Sequence, residues 1–146
     1  MTAELGGSWA LAGLASGHAY LGNNDRASSY ARQALQAAPE AGDPMNLALA
    51  QNVLGLVHSR LGEHQEAISC FRHAEALARQ RTTPLARKWL ASLLTDFGAA
   101  YRAAGAKPAA CQAWEQALQI LDDLHMPDDR RIRARIEEAR NASPPG

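Results

Sequence analysis

Three glycines, Gly22, Gly62 and Gly105, set the frame within which this chain can fold. They stand 40 and 43 residues apart, and four other position classes keep the same two offsets. Ala27, Ala67 and Ala110 lie five residues after each glycine, and Ala34, Ala74 and Ala117 lie twelve after. Leu14, Leu54 and Phe97 lie eight before, and His18, His58 and Tyr101 four before. Five classes sharing one pair of spacings define a repeated unit. It is clearest in residues 54–74, LGLVHSRLGEHQEAISCFRHA, which read as a helix ending at Leu61, a turn on Gly62 and a second helix entered through residues 63–66. Glycine suits the turn because it adopts the left-handed conformation that closes a helix without a Cβ penalty. Each copy is therefore a helical hairpin.

Within the copies, apolar and small residues recur at steps of three and four, the period of an amphipathic helix. In the first helix, secure from about Ser8, these are Leu11, Leu14, Ala15, His18 and Leu21. In the second, capped by Asn23, Asn24 or Asp25 and stopped by Pro39, they are Ala27, Tyr30, Ala31, Ala34 and Leu35. Asp43 and Thr83 are each followed by proline, a cap and first-position pair that starts the next hairpin. The repeats then cover about 8–39, 44–81 and 84–124. Seven residues before each turn stands a small residue, Ala15, Gly55 or Gly98, which lets a neighbouring helix cross closely. After Met126-Pro127, Ile132 and Ile136 form one narrow apolar stripe among arginines and glutamates, predicting a capping helix over about 128–141 and a disordered tail at 142–146. The whole reads as one all-α domain of 146 residues.

Composition excludes several functions. Lys+Arg and Asp+Glu both number 15 and the pI is near 7.0, so the chain lacks the positive footprint of a nucleic-acid-binding domain. No apolar run approaches the roughly 18 residues of a membrane span, and Glu4 stands where a secretory signal would be positive, so a cytoplasmic protein is expected. Cys70 and Cys111 lack CxxC spacing and read as free thiols. His64, Cys70 and His73 do not make a ligand set, so no metal is expected. Without a glycine-rich phosphate loop, a nucleophile elbow or HExxH, neither an enzyme nor a cofactor is expected.

The series LGLVH…LG…A…F…A in the middle copy, FGAAY…AG…A…W…AL in the third and LASGH…LG…A…Y…AL in the first resembles the tetratricopeptide repeat. The resemblance covers about residues 8–124 and implies a right-handed α-solenoid whose first helices line a concave groove. The period exceeds the family's usual ~34 residues. The extra residues fall between Ala34 and Leu54 and between Ala74 and Phe97, so helices there should be longer by one or two turns. Long repeats followed by LHMPDDRRIRARI are also similar to the C-terminal sensor regions of actinobacterial transcriptional regulators of the SARP and related NTPase-coupled types.

This resemblance implies a protein- or peptide-binding module, either the sensor or interaction domain of a larger regulator, contacting its sibling domains, or an autonomous adaptor or small-molecule-responsive sensor. Counted from the turn glycines, the groove-facing positions are Trp9, Ser16 and Tyr20; Asn52, Leu56 and Arg60; and Thr95 and Arg102. Arg60 and Arg102 are either a fork for an acidic segment or carboxylate, or solvated cations near helix C-termini. His18 and His58 are expected at interhelical seams, Trp89 and Trp114 in the core, and Trp9 at the open end of the stack, without a preceding repeat to bury it.

Overall fold

Alanine is frequent at the three- and four-residue spacings, and it is the residue with the highest helix propensity. In a computed structural model that describes residues 7–37, 43–127 and 130–141, these stretches form seven helices. They are α1 (Gly7–Tyr20), α2 (Asn24–Ala37), α3 (Pro44–Arg60), α4 (His64–Ala78), α5 (Pro84–Ala103), α6 (Lys107–Asp123) and α7 (Arg130–Asn141). No strand occurs among the described residues. Consecutive helices pair as hairpins, α3 packs on both α1 and α2, α5 packs on α3 and α4, and α7 lies against α6. The result is an all-α solenoid. As the long period predicts, α3 and α5 have 17 and 20 residues against 14 in α1. Pro39 and the expected tail at 142–146 lie outside the described residues, as do positions 128–129 at the start of the expected capping helix.

The turns show why the glycines and the residues four before them repeat together. Gly22, Gly62 and Gly105 have φ of 81°, 78° and 83°. The amide after each donates to the carbonyl of the repeated aromatic or histidine: Asn23 N to His18 O at 2.9 Å, Glu63 N to His58 O at 2.9 Å and Ala106 N to Tyr101 O at 2.8 Å. Each glycine amide donates one residue further along, closing a Schellman motif that satisfies carbonyls otherwise left bare. The same motif closes α6, where Met126 N donates to Leu121 O at 2.9 Å, but the left-handed residue is His125 with φ 54°. Glycine spacing does not reveal this fourth turn, because its left-handed residue is a histidine. At the opposite ends, Asp43 Oδ1 accepts from Met45 N at 3.0 Å and Thr83 Oγ1 from Ala86 N at 3.2 Å, with proline in the first turn of each helix.

The small residue before each turn is the floor on which the partner helix rests. A Cβ on Gly55 would lie 2.8 Å from the Phe71 ring, and one on Gly98 would lie 2.2 Å from Trp114 Nε1. In the first copy the position equivalent to Phe71 is Ala31, so the expected aromatic there, Tyr30, is one residue out of register. The glycine is replaced by Ala15, and both alanines are fully buried. Tyr30 instead stacks on His18 with ring centroids 5.4 Å apart. The first helix also departs from expectation. Leu14 and Leu21 are exposed, and Ala12, Ala15 and Ala19 carry its buried face, because no helix covers its other side among the described residues. At the far end Ile132, Ile136 and Ala139 of α7 are buried, and the Arg140–Glu115 pair ties α7 to α6.

Candidate binding groove

The first helices of the hairpins, α1, α3 and α5, lie side by side and enclose a cavity of about 320 Å³. Helical spacing puts its lining on single faces. Ser16 and Tyr20 are one turn apart on α1, Asn52, Leu56 and Arg60 step by four along α3, and Trp89, Ser92 and Asp96 step by three and four along α5. Met45 and Leu49 extend the α3 face as an apolar floor. Five predicted groove residues thus converge: Ser16, Tyr20, Asn52, Leu56 and Arg60.

The other three do not join them. Trp9 is 69% exposed and does not line this cavity. Thr95 lies in an adjoining cavity of about 870 Å³ between α5 and α7, and its hydroxyl donates back to Ala91 O at 2.9 Å. Arg102 lines a separate cleft of about 200 Å³ and faces Glu138 at 4.0 Å. The two arginines therefore do not form one fork. Arg60 sits at the rim, where Nη1 donates to Asn24 Oδ1 at 3.1 Å. The reason is geometric: Arg60 lies two residues before its turn glycine and Arg102 three, so they point to different sides of their helices.

Trp89 corrects a further expectation. It is 40% exposed and lines both cavities, whereas Trp114 is buried and donates from Nε1 to Thr95 O at 3.0 Å. Asp96 was not anticipated. It lines both cavities and accepts from Asn52 Nδ2 at 3.4 Å. Burial raises its pKa, an effect that the Asn52 hydrogen bond and the more distant Arg135 and Arg60 oppose without cancelling. The signal was present in the repeat: Asp96 is the counterpart of Gly13 in the first copy and of buried Val53 in the middle copy, and a carboxylate where the neighbouring copy buries an apolar side chain needs a reason.

Elsewhere, no group of three His, Cys, Asp or Glu gathers in metal-binding geometry among the described residues. Cys70 is half-buried and its thiol is pushed up chiefly by that burial, which disfavours the reactive thiolate. No described helix is long and apolar enough to cross a membrane.

Hairpins of one pattern, closed by left-handed glycines and stacked through a small-residue floor, meet a direct comparison: the tetratricopeptide repeat family model matches residues 7–80, which contain α1 to α4. This chain belongs to the tetratricopeptide repeat family. The internal offset of 43 residues extends the tetratricopeptide pattern to α5 and α6. No curated protein matches the chain. Tetratricopeptide repeats generally mediate protein–protein interaction, and a scaffold role follows from membership.

Proposed function

We propose that this tetratricopeptide repeat protein is a non-catalytic scaffold that holds an extended segment of another protein in the groove between α1, α3 and α5. One observation carries the reading: polar and apolar residues from three consecutive hairpins converge on one cavity with an apolar floor of Met45, Leu49 and Leu56 and a polar rim of Ser16, Asn52 and Arg60. Sites of this composition bury side chains on the floor and fix orientation at the rim. The three hairpins and α7 act as one domain, with α7 closing the far end of the apolar core.

The test is selection of random peptides on the folded protein, followed by titration of the selected peptides against Leu56→Ala and Tyr20→Ala. Weakened binding with melting temperature changed by only a few degrees supports the groove. Selected peptides that bind both variants as tightly as the parent place the binding surface elsewhere.

The setting we favour is the sensor or interaction domain of a larger transcriptional regulator, supported by the 40- and 43-residue period and the arginine-rich last helix. Deleting these residues from such a regulator should abolish its response while leaving its DNA binding intact. An unaltered response would leave the autonomous adaptor.

A further inference from the structure

We propose that the groove is selective for a basic side chain, a lysine or arginine of the bound segment, whose cationic head pairs with Asp96 and whose stem lies on Leu56 and Leu49. This rests on the groove reading above and names what the groove recognises.

Among the described residues, donors are short where α3 meets α5 along the cavity. Asp96 accepts one hydrogen bond among the described residues, from Asn52 Nδ2, and at 3.4 Å it is long for a charge-assisted contact. With Nδ2 turned to the carboxylate, Asn52 Oδ1 is buried and has no partner. Two acceptors thus lie together without adequate donors. Asp96 is also the carboxylate whose desolvation outweighs all the compensation its surroundings supply. A partly desolvated carboxylate of this kind gains from any N–H donor that reaches it.

Three ligand chemistries can be weighed against this site. An acidic side chain would place a second carboxylate beside Asp96 in a poorly solvated cavity, where two such groups repel. Among the nearby arginines, Arg60 is bonded to Asn24 at the rim, Arg102 lies in another cleft beside Glu138, and Arg135 lines the adjoining cavity, where its charge already acts on Asp96. A wholly apolar side chain would complete the desolvation of Asp96 and offer nothing in return. A lysine or arginine supplies the missing N–H donors and the opposite charge. Its methylenes match the apolar floor, since such side chains lay their stems along apolar surface while the head finds polar partners. Trp89 and Tyr20, both exposed at the mouth, offer ring faces to the same cation.

The experiment uses the peptides selected on the full chain, together with synthetic versions in which each basic residue is replaced by norleucine or glutamate. Binding is measured to the parent and to Asp96→Asn, which keeps an acceptor for Asn52 and removes the charge. Expected are enrichment of one basic position and a loss of about tenfold or more for norleucine at that position. A similar loss is expected for the original peptide on Asp96→Asn, with the norleucine peptide indifferent to that substitution. Because desolvation disfavours the charged form of Asp96, Asp96→Asn should fold, and its thermal melt is recorded alongside. Selected peptides without a basic position, or with undiminished affinity for Asp96→Asn, overturn the proposal while leaving the groove reading intact. Failure to select any peptide overturns both.

Discussion

The core cluster built by α1 to α3 consists of seven alanines with Val53, Leu54 and Val57, whereas the cluster built mainly by α4 to α7 includes Phe71, Phe97, Trp114, Leu90, Leu94 and three isoleucines. In the second region Phe71, Phe97 and Tyr101 stack in series, with centroids 5.4 and 4.4 Å apart. Apolar burial contributes roughly 25 cal/mol per Å², so the alanine-built end gains less from the same backbone arrangement. One repeat class makes the contrast plain. Leu14, Leu54 and Phe97 are equivalent in sequence, yet they are 47%, 7% and 2% exposed. Leu14 has no preceding hairpin beside it among the described residues, and Leu54 and Phe97 do. A repeat thus acquires its core from its neighbour, and stability along a solenoid depends on nearest-neighbour interfaces.

Truncation within that class should break the equivalence most sharply. Phe97→Ala should cost about 3–5 kcal/mol by loss of a buried ring and the cavity left behind. Leu14→Ala should cost well under about 1.5 kcal/mol, because half of its surface is already in water. Equal losses in denaturant titration would mean that Leu14 is covered in solution. Hydrogen exchange should agree, with amides of α1 and α2 exchanging before those of α5 and α6.

The helical glycines give the next largest contrast. Gly98→Ala would drive a methyl into Trp114 and should destabilise by about 1–3 kcal/mol. Gly17→Ala meets nothing within 4 Å and should stabilise by about 0.5–1 kcal/mol, since glycine in a helix interior is the poorer residue. A shared sign in the two melting-temperature shifts would contradict the packing described. The turn after α6 permits a related test: His125→Gly should raise stability by up to about 1 kcal/mol, because a side chain at positive φ is strained there and glycine is not.

The smallest effect tests the junction of the two regions, where Asp96 replaces the Val53 class. Its folded pKa is raised above the ordinary carboxylate value of about 3.9. The unfolded chain therefore ionises first, and the penalty is absent below that value, grows as pH rises toward the folded pKa and is complete above it. Asp96→Asn should accordingly raise the melting temperature at pH 7 and lose that advantage near pH 3. A difference independent of pH would mean that the carboxylate is well solvated.

The groove was partly legible in advance. Ser16, Tyr20, Asn52, Leu56 and Arg60 follow from counting turns on a helix, and all five line one cavity. Thr95, the counterpart of Asn52, and Arg102, one position out of step with Arg60, line other clefts because the faces of the longer α5 meet different neighbours. Its place in an apolar stripe puts Trp89 in the core, but α5 presents it to the groove. Asp96 could have been noticed as a polar exception, though not as a group lacking donors, since that depends on where Asn52, Arg60 and Arg135 end up.

What the chain order alone determines here is local. A left-handed glycine, a capping aspartate or threonine before proline, and a three-to-four spacing of small residues act through hydrogen bonds and contacts within a few positions, so the hairpins and their period can be read directly. What only the tertiary structure decides is which faces acquire a neighbour. Equivalent leucines become surface or core, a tryptophan becomes a cavity wall and an aspartate becomes a partly desolvated charge, because burial and electrostatic compensation are set by helices far away in sequence.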